Sequence, residues 1–176
     1  HYESTEGWML CFHPDLIRKS SLSSKMDEYS FFSYSIHEAL HLSEKEKEVV
    51  TQIVQILTEE FNQNIDIYSL DVIISNLELL LNYAQRFYGR QFITRKTVHH
   101  DVVDRFEKLL KESFTLPRLQ ESGAPSVKEL AKEMGYSTNY LSDLLKKETG
   151  KNTQEHIHYQ ITDLAKNLLS GTSEPI

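Results

Sequence analysis

The chain carries one cysteine, Cys11, in 176 residues, which excludes an internal disulfide framework and any paired-cysteine zinc knuckle and fits a reducing compartment. No apolar run approaches the roughly 18 residues needed to span a bilayer. The start, His1-Tyr2-Glu3-Ser4-Thr5, lacks the basic and apolar regions of a signal peptide. A cytoplasmic protein without membrane contact is therefore expected. Glycine-rich phosphate loops, internal repeats and low-complexity tracts are also missing. Positive charge is scarce: 19 Lys plus Arg face 26 Asp plus Glu, a formal net charge of -7. From Ala124 onward six Lys and no Arg stand against seven acidic residues. Because phosphate neutralisation by Lys and Arg supplies most nonspecific affinity for nucleic acid, that part alone is expected to bind DNA weakly.

With 39% hydrophobic and 26% charged residues, the chain can bury one or two cores but is small for a multi-domain enzyme. Gly7-Trp8-Met9-Leu10-Cys11-Phe12 has the composition of a strand, with no partner strand elsewhere in the sequence. It is expected to be the cut edge of a larger domain, with Cys11 as a buried small hydrophobe rather than a nucleophile. Residues 13–17 and 22–29 are expected as short helical pieces around a Ser-rich turn, and Phe31-Phe32-Ser33-Tyr34 as packed loop or strand.

Ser43-Glu44-Lys45-Glu46 is a capping box that should open a helix. Behind it Val50, Ile53, Val54, Leu57 and Phe61 recur at helical spacing until Asn62-Gln63-Asn64. A second helix over residues 66–88 carries two apolar stripes, one of Leu70, Ile73, Ile74, Leu77, Leu80, Leu81, Ala84 and Phe87, the other of Val72, Leu79 and Tyr83. Two stripes need two partners: both are core of this domain, or the second meets a sensor domain or another copy of the chain. A third helix over residues 101–114 presents Val102, Val103, Phe106, Leu109 and Leu110. Residues 116–125, with Pro117, Gly123 and Pro125, have the composition of a linker.

From Ser126 the pattern becomes short helices separated by glycine. Ser126 with Glu129 makes another capped start after Pro125, Ala131 lets a second helix approach closely, and Gly135 supplies the positive φ of a tight turn. This is the spacing of a helix-turn-helix, with Leu130, Met134, Leu141, Leu144 and Leu145 as inner packing. The opposite edge of the second helix, residues 138–149, offers Ser137, Thr138, Asn139, Ser142, Lys146 and Lys147, expected to be free to enter a DNA groove. Short polar groups at a helix start reach base edges, and lysines at its end reach phosphates.

His37-Glu38-Ala39-Leu40-His41 matches the HExxH pattern, in which two histidines one helical turn apart bind zinc beside a general-base glutamate. The capping box at Ser43 begins a new helix two residues on, so 37–42 is expected to run extended, with His37 and His41 about 13 Å apart by the strand rise. Surface histidines are the expectation; a zinc hydrolase at His37 and His41 is the remote alternative. His99-His100 and His156, His158 cannot share a helix face pairwise and are expected to be solvated.

The stretch Ser126-Val127-Lys128-Glu129-Leu130-Ala131, through Gly135-Tyr136-Ser137-Thr138-Asn139-Tyr140-Leu141-Ser142, to Leu145-Lys146-Lys147-Glu148-Thr149-Gly150-Lys151 resembles the first of two helix-turn-helix units of AraC-type bacterial transcription regulators. Ala165-Lys166-Asn167-Leu168-Leu169, in a helix begun at Thr153, resembles their linker helix, and Phe12-His13-Pro14-Asp15-Leu16 is similar to the end of their small β-barrel (cupin-like) sensor. Leu144-Leu145 stands where many members have an aromatic after a leucine, and Gln160-Ile161 near where an arginine usually faces DNA.

The resemblance implies a sequence-specific DNA-binding regulator that pairs as a homodimer on a promoter duplex. It also implies a sensor barrel ahead of residue 1, through which a small-molecule effector acts, and a second unit beyond Glu174-Pro175-Ile176. Ser137, Thr138, Asn139, Ser142 and Lys146 carry over as DNA-facing residues.

The expected fold is mainly α: a helical bundle and dimerisation region with a small β remnant at the N-terminus, followed by a helix-turn-helix subdomain. Residues 1–42 are the sensor remnant, 43–115 accessory and dimerisation helices, 116–125 a linker, and 126–176 the first helix-turn-helix with its linker helix. No catalytic residue, cofactor or metal is expected. A helical interaction module without DNA binding is the principal alternative.

Overall fold

The structure, a computed structural model, describes residues 7–94 and 96–171, and their side chains except for 96–100, 170 and 171. Among the described residues the fold is mainly α, with no strand. Eight helices follow in chain order: α1 (Ser21–Lys25), α2 (Glu44–Asn62), α3 (Ser69–Thr94), α4 (Lys96–Ser113), α5 (Leu116–Ser122), α6 (Val127–Met134), α7 (Thr138–Thr149) and α8 (Thr153–Gly171). Short 3₁₀ turns lie at Pro14–Leu16, Met26–Glu28, Ser30–Ser33 and Ile36–Glu38. No helix among the described residues is long and apolar enough to cross a membrane.

The expected strand over residues 7–12 is not formed. Trp8, Met9 and Leu10 stand in solvent and so does Cys11, which corrects its expected burial. Strand propensity cannot act here, because an isolated strand leaves a row of backbone donors and acceptors unpaired. The expected linker is corrected as well: Leu116–Ser122 is a helix with Pro117 in its first turn, where a missing N–H costs nothing.

The chain divides into two compact units, one of the described residues up to Tyr29 with Ser43–Ala84, the other of Ser30–Leu42 with the described residues from Gln85 on. In the first unit, the reciprocal capping box of Ser43 and Glu46 starts α2. Asp66 caps α3 from outside, its carboxylate accepting from the amides of Tyr68 and Ser69, which is why that helix begins at Ser69 and not at the expected residue 66. Ile53 and Leu57 of α2 and Leu77 and Leu81 of α3 are buried, as are Ile17, Leu22 and Tyr29. Tyr29 donates to the Asn82 side chain at 3.0 Å, and Lys25 pairs with Glu78. Of the first stripe on α3, Leu77, Leu81 and Phe87 are buried and Leu70 is exposed, whereas Val72 and Leu79 of the second are exposed and Tyr83 is half-buried.

In the second unit one core joins Phe92, Val102, Phe106, Leu109, Leu110 and Phe114 to Leu130, Ala131, Met134, Tyr140, Leu141, Leu144, Leu145 and Ile157. Burying each large apolar side chain contributes about 1.5–3 kcal/mol. The expected inner packing residues Leu130, Met134, Leu141, Leu144 and Leu145 are all among them. α4 packs against both α6 and α7, and α7 against α6 and α8, so α6 and α7 stand on a supporting helix that comes earlier in the chain.

Candidate nucleic-acid interface

α6 opens with Ser126, whose hydroxyl accepts from the Glu129 amide at 3.2 Å while the Glu129 carboxylate accepts from the Ser126 amide at 2.8 Å. These hydrogen bonds, the backbone one foremost, hold the Glu129 carboxyl below its ordinary range. The helix closes at Gly135, which has φ 78° and ψ 27°. The Tyr136 amide donates to the Ala131 carbonyl at 2.9 Å and the Gly135 amide to Lys132 at 3.1 Å. That pair is the Schellman arrangement, and its left-handed residue is tolerated best as glycine.

Ser137 then caps α7, accepting from the Tyr140 amide at 3.3 Å. A second left-handed glycine, Gly150 at φ 77°, ends that helix. Two short helices thus meet through a three-residue connection, Gly135-Tyr136-Ser137, that starts on a left-handed glycine, and α7 buries Tyr140, Leu141, Leu144 and Leu145.

The side chains expected to face DNA divide along α7. Lys146 and Lys147, in its last turn, are exposed. Thr138 is half-buried, and so is Ser142, whose hydroxyl shares a hydrogen bond of 2.9 Å with that of Thr153 on α8. The leading end is not free, contrary to the expectation for that edge. Residues 30–38 lie along it. The Glu38 carboxylate accepts from the Ser137 amide and from the Ser137 hydroxyl, both at 2.6 Å. The Asn139 side-chain amide donates to the Ser33 hydroxyl at 2.5 Å, and the Tyr34 hydroxyl donates to Asp143 at 2.6 Å.

Tyr34 is held edge-on between Tyr88 and Tyr140, with ring centroids 5.1 and 5.2 Å away. Tyr140 also stacks on Tyr136 at 5.4 Å. Burial first, and then the hydrogen bond to Asp143, pushes the Tyr34 phenol well above its ordinary value. Further along the segment, Gln91 accepts from the His41 amide at 2.8 Å and donates to the Ala39 carbonyl at 3.3 Å.

His37 lies in a 3₁₀ turn and His41 beyond it, outside any α-helix. His37 is an exposed side chain whose Nε2 sits 3.0 Å from the Gly135 carbonyl. The Glu38 between them is buried and committed to Ser137 and to the Ser35 amide. No group of three His, Cys, Asp or Glu side chains among the described residues is placed to hold a metal ion.

His158 is exposed, beside Gln154 at 2.9 Å, but His156 is not the solvated residue expected. Its Nε2 lies 2.8 Å from the Thr149 hydroxyl, and its ring packs edge-on against Phe106 at 5.3 Å. The side chains of His99 and His100 lie outside the described residues, as do residues 174–176. Comparisons of the chain with protein-family models, curated proteins and solved structures give no match.

Proposed function

We propose that this chain is part of a DNA-binding transcription regulator of the AraC type, with α6 and α7 as a helix-turn-helix, α7 as the recognition helix, and a homodimer as the working form. The observation that carries this reading is the connection at Gly135. It turns two short capped helices about a left-handed residue, so that the apolar edge of α7 is buried while Asn139, Lys146 and Lys147 stay on the exposed side. On this reading Ser137, Thr138, Asn139 and Ser142 face bases or the nearest phosphates, and Lys146 and Lys147 meet the backbone. A small-molecule effector belongs to a sensor barrel outside these residues, and no cofactor or catalytic step is involved.

Selection of duplexes from a random pool by the full-length regulator tests the proposal. Asn139→Ala should relax base preference at one position at a cost of about 1–3 kcal/mol. An unchanged preference would remove α7 from the recognition role.

One observation favours a second reading, a helical interaction module with no nucleic-acid role: Ser137 and Asn139 already have partners within the chain. The six lysines of the C-terminal part, outnumbered by acidic residues, point the same way. Duplex selection separates the two, because an interaction module enriches no sequence.

A further inference from the structure

The groups through which α7 would approach DNA and the groups that hold residues 30–38 are the same at one end of the helix. The Ser137 amide and hydroxyl and the Asn139 side-chain amide are all donors. Donors at the start of a helix, aided by its dipole, are what a phosphate oxygen seeks. Here a carboxylate and a serine hydroxyl take that place.

Glu38 brings its carboxylate to the helix start from another part of the chain, and its side chain is only 1% exposed. Among the described residues, the one cationic group within 4 Å of it is the His37 ring, at 3.9 Å, which is charged only when protonated. A buried anion balanced by hydrogen bonds rather than by a fixed cation regains much of its solvation when it is released to water. The hold at Glu38 is thus reversible in kind.

The rest of the segment divides into an anchored and a loose part. Phe31 stacks on Tyr88 at 5.6 Å and Tyr34 sits between Tyr88 and Tyr140, whereas Phe32 is 58% exposed and Ile36 is 96% exposed. The Asn139 contact with Ser33 is itself at the surface. Residues 35–38 are bracketed by two holds, the aromatic anchor at Phe31 and Tyr34 and the Gln91 hydrogen bonds to Ala39 and His41, so release from α7 is a local shift of the stretch between them.

We propose that residues 30–38 form an autoinhibitory strap in which the Glu38 carboxylate stands where a DNA phosphate would dock, so that strap and duplex compete for Ser137 and Asn139. This rests on the reading of α7 as a recognition helix. Duplex affinity is then the intrinsic affinity multiplied by the fraction of molecules with the strap released.

The test uses the full chain, a fluorescent mixed-sequence duplex at low salt, and hydrogen exchange over residues 137–141. Glu38→Gln keeps the shape but turns one acceptor into a donor facing donors. Ser33→Ala is a milder surface change that serves if Glu38→Gln fails to fold. Faster exchange with about tenfold tighter duplex binding in Glu38→Gln, a smaller gain in Ser33→Ala, and loss of the gain on adding Lys146→Ala are expected.

Faster exchange with unchanged affinity, while Lys146→Ala still weakens binding, overturns the strap and leaves the recognition helix standing. Unchanged exchange and affinity in both variants overturns it too, since Glu38 and Ser33 then hold nothing. Absence of duplex binding in the wild type and in both variants overturns the strap together with the DNA-binding reading.

Discussion

The two units differ in how far each satisfies its own apolar surface. Among the largest fully buried side chains, Leu22 lies in the first unit, while Phe106, Leu130, Leu141, Leu144, Leu145, Gln91 and Thr153 lie in the second. The first unit leaves Met9, Phe61, Ile65 and Ile67 almost wholly in solvent. Residues 9–13, α2 and the start of α3 border an apolar cleft there, lined by Leu57, Ile73 and Leu77. The second unit thus holds the more fully buried core, although it too exposes Phe32, Ile36 and Leu169, whereas exposed apolar side chains of the first unit, Met9, Phe61 and Ile65, gather at that cleft.

That contrast can be broken most sharply by truncating one leucine in each unit. Leu141→Ala, at a fully buried site, should cost roughly 2–5 kcal/mol in urea unfolding. Leu70→Ala, at a site 49% exposed, should cost about 0.5 kcal/mol or less. Equal costs would erase the distinction.

Gly135→Ala should lose about 1–2 kcal/mol through its left-handed backbone alone, since a Cβ there meets nothing within 4 Å. A loss no larger than that of Gly89→Ala, a glycine inside α3 with equally open surroundings, would contradict the role of the turn. Leu79→Asp, on the exposed stripe of α3, should leave the unfolding midpoint nearly unchanged. It should shift sedimentation from dimer to monomer if that stripe joins two copies; an unchanged sedimentation coefficient removes the stripe from the interface.

The smallest effect expected is a pH dependence confined to the second unit. Burial foremost, and then Lys151, holds the His156 imidazole below its ordinary value of 6.5, against the opposing pull of Glu107 and Glu155. The folded protein therefore takes up this proton less readily than the unfolded chain. The group's stabilising share is intact above pH 6.5 and is lost as pH falls through the lowered value. His156→Gln should flatten that slope in urea titrations, and an unaltered slope would assign it elsewhere.

Features that rest on contacts within four or five residues were legible in the sequence. The capping boxes at Ser43 and Ser126, the left-handed glycine at 135 and the buried edge of α7 are of this kind. Tyr140 was missed as core, because a phenol at a helix start also suits a surface, and its interior place comes from neighbours that include the rings of Tyr34, Phe92 and Tyr136. His156 was misjudged because spacing along one helix says nothing of Phe106 on another. The engagement of Ser137 by Glu38 joins residues 99 apart. No period or motif in a single sequence announces that a carboxylate will reach a helix cap so far along the chain. The HExxH spelling around Glu38 is a pattern of metal sites and carries no sign of a helix cap.

The central claim is that the outer edge of α7 meets a phosphate backbone. The most direct measurement is fluorescence anisotropy of the full-length protein with duplex DNA across a salt series, beside Lys146→Ala. The account predicts log affinity falling linearly with log salt, and a slope smaller by about 1 in the variant. Identical slopes, or no binding at the lowest salt, would contradict it.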